Sequence, residues 1–582
     1  MTEQLPAFLS GRKILPFRQP EVPPRPGAAG QAIFAPVRKW IVIVAALLLL
    51  PALLINLGLM VFIDDEAIRT LVAQEMLWTG NYLVPTMHGD AYLNKPPLWN
   101  WILAVSFTLH GGASEWAARL PTVVSLLGFA ATTYFFSRRH FGNYLALIHA
   151  LTVVTCGRML FWDSMLALID VCFSWLVYTQ IMLLYYFGRR GRWWEAFGWT
   201  YLLTTATFLL KGLPAVVFQG ISIFAILGWT RSWRELYRPA HLLTGLGCLV
   251  LLALYYVPYA EAVDLERVAR RLFVESGKRT AVVQGWWATV RHVFAFPFEM
   301  SYHFLPWTVW LVFLLRRGAW RMLKTNDFAA FSLVAFLANL PVYWLSPNVY
   351  PRYLLMLFPL LFGSLLWLHR LHAADRSPVY RYLRWGLLSA MTLAAAAIPF
   401  IPLVPETDIV VGAWGKSLVL AAAAGTTVWL AWRREQDFLL LFCVFLLLLR
   451  IVFDLFVLPP RAAGDERGIA VRHTAERVAA TAGQADLGIY RFTLIEPATG
   501  WYLTRARGEI VRRSYGPYAP QTYYVGSYLQ YPDLRIDARD SLYLRHLQTY
   551  YPVGHVRQTD APPPDETEDL RDGMGSGMPI GR

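Results

Sequence analysis

From Trp40 onward, apolar residues come in blocks separated by short polar stretches. The blocks occupy 40–62, 120–136, 144–156, 165–187, 196–210, 213–229, 242–259, 304–315, 329–345, 353–368, 385–401, 417–432 and 438–458. A helix needs roughly 20 apolar residues to cross a bilayer, so the pattern predicts about thirteen transmembrane helices. The blocks at 144–156 and 304–315 are short and leave that count open by one or two. Two weaker patterns lie in the first loop. Ile68, Leu71, Val72 and Met76 share one helical face within 67–78, and 98–109 carries Trp99 and Trp101. Both predict helices lying in the membrane interface.

After residue 458 the pattern changes. Pro459-Pro460 stops the last block, and the remainder is polar with ordinary loop chemistry. Periodicity there predicts helices over 465–482 and 540–548 and strands over 487–492, 509–513, 523–528 and 553–557. The chain therefore reads as a mainly α polytopic membrane protein with a small extracytoplasmic α/β domain. Its parts are a cytoplasmic tail 1–39, a transmembrane domain 40–458, the α/β domain 459–559 and a disordered tail 560–582.

Composition and charge narrow the class. Of 582 residues 56% are hydrophobic and 15% aromatic, more apolar surface than a soluble fold hides. A net charge of +14 would suit nucleic acid, but the basic residues cluster at alternate loops, as at Arg138-Arg139, Arg189-Arg190, Arg316-Arg317 and Arg433-Arg434. That is the positive-inside pattern. It places the basic loops and the N-terminus in the cytoplasm and the C-terminal domain outside, and it removes nucleic acid as a partner. The four cysteines have no metal-type spacing and read as small buried hydrophobes.

The opposite loops gather charge that this rule does not require. Asp64, Asp65 and Glu66 follow the first block directly, and Lys95, Arg158, Asp163, Lys211, His303 and Arg352 lie in the other outward loops. Fixed cations at headgroup depth can hold a phosphate, and a carboxylate beside them can serve as a base. The bland alternatives are a solvated acidic helix start and basic side chains snorkelling to lipid headgroups. Asp170 lies deeper, would need a buried partner, and reads as structural. So does the pair Arg450 and Asp454, one turn apart in the last block.

Asp65-Glu66-Ala67, Gln74-Glu75-Met76, Thr79-Gly80-Asn81-Tyr82-Leu83-Val84-Pro85, Asn94-Lys95-Pro96-Pro97 and Glu115-Trp116-Ala117-Ala118-Arg119-Leu120-Pro121 follow one another in order. In these motifs the chain resembles the bacterial membrane glycosyltransferases related to protein O-mannosyltransferases, a group that includes lipid A aminoarabinose transferases. The resemblance implies a C-type fold in the bacterial inner membrane. It also implies inverting transfer of a sugar from a polyprenyl-phosphate donor to a lipid A, envelope glycan or protein acceptor. By the same resemblance Asp65 and Asp163 are catalytic, Lys95, Lys211 and Arg352 bind the donor phosphate, and Asp64, Glu66, Arg69 and Arg158 are further candidates.

Two departures stand out. Ile68 occupies the place of a family arginine, with Arg69 one position late, and Asn94 replaces a glutamate that helps hold a metal in the relatives. A divalent metal is thus an open expectation, with His303 as its candidate ligand, and no other cofactor is expected. The competing class is a transporter or flippase of a lipid-linked sugar. It is disfavoured because the charges gather at one face and no halves repeat.

Overall fold

The computed structural model describes residues 39–277 and 285–557; the expected tails, apart from Lys39, lie outside the described residues, as does the side chain of Asp64. Among the described residues, six helical segments are long and apolar enough to cross a membrane: Glu115–Thr155, Ile169–Gly188, Pro239–Ala260, Asp327–Trp344, Pro378–Leu403 and Glu435–Ala463. The first holds two helices, Glu115–Phe141 and Asn143–Thr155, packed on each other about Gly142, whose φ of 79° allows the tight turn. Shorter apolar helices span Lys39–Leu54, Leu98–Leu109 and Pro214–Thr230. The segment Glu435–Ala463 is largely buried in the bundle, whereas Pro239–Ala260 exposes Leu242, Leu246 and Leu249 on its outer side.

Helical backbone occurs within every expected block, but two blocks are not the straight crossings that their composition predicts. The helix beginning at Lys39 stops at Leu54 rather than running to 62. Beyond it, Arg119 donates to the carbonyls of Leu57 and Met60, and Asn56 (φ 56°) donates to the Asp454 carbonyl at 2.6 Å. Backbone groups satisfied by side chains do not need a helix, even in an apolar stretch. Likewise, residues 304–315 form 3-10 turns over Trp307–Leu315 instead of a long α-helix. Pro306 supplies no N–H there, and the Leu305 carbonyl accepts from Gly157 N at 2.6 Å. Two helices not foreseen, Leu265–Gly277 and Trp286–His303, fill much of the long loop after Pro239–Ala260.

One buried side chain anchors the loop that carries Arg158 and Asp163. Arg450 pairs with Asp454 at 2.7 Å and also donates to the Leu160 carbonyl and, at 3.0 Å, to Ser164 Oγ. The pair lies within one helix, but its guanidinium also fixes a neighbouring turn.

In the first loop, strands β1 (Thr86–Met87) and β2 (Asp90–Ala91) form a small antiparallel hairpin. The C-terminal domain contains a five-stranded sheet of β3 (Leu487–Tyr490), β4 (Arg512–Ser514), β5 (Tyr523–Val525), β6 (Ile536–Leu544) and β7 (Thr549–Val556). Its spatial order is β4-β3-β5-β7-β6, with β3 parallel to both neighbours and the other pairs antiparallel. Residues 540–548 are not the expected helix. They form the end of β6 and the turn into β7, where Gln548 has φ 49°. Leu542 and Leu544, two residues apart, both face the core, which is strand rather than helix spacing. The helices Glu466–Ala482 and Pro497–Arg507 complete this domain. Trp501 packs edge-on against Phe62, and Arg472 and Arg505 both bind Glu115, at 2.5 and 3.2 Å. The domain is thereby clamped onto the first loop.

Candidate active site

Three helix ends and one short turn bring charge together. Asp65 lies in the first turn of Asp64–Thr79, Asp170 in the first turn of Ile169–Gly188, and Lys211 is the last residue of Trp193–Lys211. Each sign suits its helix end, since acids are favoured at N-termini and bases at C-termini. Gly212, with φ 79°, lets the chain turn immediately after Lys211. Arg352 comes from the 3-10 turn Pro351–Leu354, with the proline at its first position.

These groups form a chain of opposite charges. Lys211 Nζ lies 2.5 Å from Asp170 Oδ1, and Arg352 Nε lies 3.5 Å from the other oxygen of Asp170. Arg352 Nη2 is 3.7 Å from Asp65 Oδ2. Tyr350 stacks under the Arg352 guanidinium at 4.4 Å, and Lys211 Nζ sits 4.1 Å from the centre of the Tyr353 ring. Burial alone would favour the neutral form of Arg352, but Asp170, Tyr353 and Asp65 hold its pKa above the ordinary value. The Asp65 side chain is 51% exposed, whereas Asp170 and Arg352 are nearly enclosed. The cluster therefore has a dry cationic floor and an open acidic rim.

Asp163 stands beside it. Arg158 Nε binds its Oδ2 at 2.9 Å, while Oδ1 is buried with no hydrogen-bond partner among the described residues. Burial pushes the Asp163 carboxyl up to about 6, against the pull of Arg158 and Arg352.

The other candidates occupy different places. Glu66 is fully buried, and its carboxylate accepts from Arg119 at 2.9 and 3.1 Å, from Ile63 N at 2.9 Å and from Ala167 N at 3.0 Å. With every lone-pair direction used, it works as a brace between the first loop and the segment before Asp170. Arg69 is buried with its guanidinium 5.3 Å from the Tyr92 ring. Lys95 lines a narrow crevice with Tyr255, Tyr256 and Tyr259. Asn94 beside it accepts from Arg271 at 2.8 Å. His303 lies 3.9 Å from Glu299 on its own helix, and burial and Arg158 lower its pKa. Among the described residues no three His, Cys, Asp or Glu side chains gather as a ligand set.

Residues 94–256 match the family described as dolichyl-phosphate-mannose-protein mannosyltransferase. A 4-amino-4-deoxy-L-arabinose arabinosyl transferase acting with undecaprenyl phosphate, from Pseudomonas paraeruginosa, is 27% identical over 63% of this chain and 67% of its own length. An uncharacterized protein of Aquifex aeolicus is 24% identical over 54% of this chain and 61% of its own. The crystal structure of ArnT from Cupriavidus metallidurans bound to undecaprenyl phosphate superposes with a TM-score of 0.63, covering 88% of this chain and 98% of that one at 17% identity. The chain is homologous to ArnT. It shares the C-type fold of ArnT and spans about two thirds or less of the length of the curated relatives. The family match takes in Lys95, Asp163, Asp170 and Lys211, while Asp65 and Arg352 lie outside it.

Sequence reasoning did not foresee Asp170 as the joint between the two cations, or Tyr350 and Tyr353 as their aromatic support. The available signal was the cost of Asp170 itself. An ionisable side chain inside an apolar span demands a partner, and here it has two from distant loops.

Proposed function

We propose that this chain is an inverting glycosyltransferase of the bacterial inner membrane, moving a sugar from a polyprenyl phosphate to lipid A or another envelope acceptor. One observation carries the reading. Four residues more than 280 positions apart at the extremes, Asp65 to Arg352, meet in a single charged cluster in a chain whose relatives transfer sugars from undecaprenyl phosphate. Arg352 and Lys211 receive the donor phosphate, and the exposed Asp65 takes the proton from the attacking acceptor group. The acceptor then bonds to the anomeric carbon as the bond from that carbon to the phosphate oxygen breaks. The leaving phosphate keeps the electron pair, and its charge is held by the guanidinium and ammonium. On this reading the basic loops face the cytoplasm and the charged cluster faces the outer side.

The relatives are transferases, which favours this reading over a transporter of the same lipid-linked sugar. The test is transfer from an undecaprenyl-phosphate sugar by purified wild type and Asp65→Asn. Loss of transfer with donor binding retained supports the assignment; undiminished transfer by the variant removes Asp65 as the base. Mass spectrometry of lipid A and envelope glycans, with and without the protein, identifies the acceptor.

A further inference from the structure

At the end of the bundle away from Asp65 lies a second polar cavity. Arg119, which braces Glu66, stands near the start of the helix Glu115–Phe141; Phe141 follows 22 residues later, about 33 Å along a helix. There a cavity of about 210 Å³ opens among the turn at Gly142, the end of the helix Phe358–Ala374, the start of Pro378–Ala397, and the link between Ala413–Arg433 and Phe438–Phe456. Its walls include Phe141, Tyr144, Arg370, Tyr380, Glu435 and Phe438.

The lining is chemically mixed in a specific way. Arg370 is half-buried, with its guanidinium 5.1 Å from the Trp367 ring and Nη1 3.4 Å from the Phe141 carbonyl. Arg384, behind the wall and outside the lining, packs 5.6 Å from the Phe438 ring and donates to the Ala431 carbonyl at 3.2 Å. Glu435, exposed at the mouth, accepts from Tyr380 Oη at 3.0 Å through one oxygen. One guanidinium and one carboxylate, over an aromatic floor, complement a molecule with one phosphate and one amine.

The surroundings point to where such a molecule comes from. Trp385, Trp429, Trp432 and Tyr382 are exposed on the two flanking helices, and aromatic rings of this kind settle at headgroup depth. We propose that this cavity binds the headgroup of a membrane aminophospholipid. The phosphodiester lies at Arg370 and the ammonium at Glu435, in the leaflet opposite the transfer site.

Lipid retention by delipidated, detergent-solubilised full-length protein tests this. The probes are phosphatidylethanolamine, phosphatidylglycerol and water-soluble phosphoethanolamine, read by native mass spectrometry. Wild type should retain phosphatidylethanolamine over phosphatidylglycerol by roughly fivefold, the scale of one partly exposed ion pair. Glu435→Gln, which keeps the shape of the side chain, should erase that preference. Arg370→Ala should weaken retention of both lipids about tenfold, while Arg321→Ala, an exposed arginine outside the cavity, should change neither. Equal retention of the two lipids by wild type, or an unchanged preference in Glu435→Gln, overturns the proposal. So does equal competition by phosphoethanolamine, which would make the ligand a soluble metabolite. A melting temperature of each lipid-free variant matching the wild type shows that the change is in binding rather than folding.

Discussion

Asp65 and Glu66 are adjacent in the chain, and each faces an arginine from a distant segment, yet the two pairs are built in opposite ways. Glu66 and Arg119 are sealed from solvent, close, and saturated with hydrogen bonds. Asp65 and Arg352 are 3.7 Å apart, with the carboxylate half in solvent and the guanidinium shared with Asp170. A saturated buried pair has nothing left to offer a substrate, and breaking it leaves a stranded charge. A loose pair at a rim exchanges partners at little cost, which a phosphate-binding cation and a base both require. Neighbouring carboxylates are thus divided between bracing and chemistry by their surroundings, not by their type.

The largest expected effect tests the loose pair. Asp65→Asn should lower transfer by about 10²–10⁴-fold, the usual range for removing a general base. Its melting temperature should stay near that of the wild type, because a half-exposed pair contributes under about 1 kcal/mol. A variant that unfolds would show that Asp65 is a brace after all.

Next comes the sealed pair, with the opposite signature. Arg119→Met strands the Glu66 carboxylate and should cost about 3–5 kcal/mol of stability. Adding Glu66→Gln should recover much of that loss, because the remaining group is neutral. Full stability of Arg119→Met alone would erase the contrast between the two pairs. A smaller effect is expected from Arg352→Lys, which keeps the charge but loses the planar fork. About a 10–100-fold loss in kcat/KM, chiefly through the donor KM, would mark bidentate phosphate binding.

Much of this architecture is legible in the chain, but not the meetings that matter. Asp65, Asp163, Lys211 and Arg352 stand out singly, because charge at the end of an apolar run is conspicuous. Which of them touch is a tertiary fact: the contacts of Asp170 with Lys211 and Arg352 cross three loops and leave no local trace. The stop at Leu54 was hidden for the same reason, since the carbonyls beyond it are satisfied by Arg119 from another segment. At 540–548 the difficulty was local. Asp540-Ser541-Leu542-Tyr543-Leu544 followed by Arg545-His546-Leu547 offers apolar residues at both helix and strand spacing, and pairing with β7 decides between them.

A graded effect distinguishes Asp163 from both pairs, because it is sealed like Glu66 but unsaturated like Asp65. Burial holds its carboxyl at about 6, above the ordinary 3.8, so between about pH 4 and 6 the folded protein binds a proton that the unfolded chain has released. Stability must therefore fall as pH rises through that window, by up to about 1.4 kcal/mol per pH unit, and level off above it. Asp163→Asn has no such proton to lose. Melting curves of the two proteins from pH 4 to 8 should diverge in favour of the variant up to about pH 6 and then run parallel. If they run parallel throughout, the Arg158 pair has already satisfied the carboxylate, and Asp163 belongs with Glu66 as a brace.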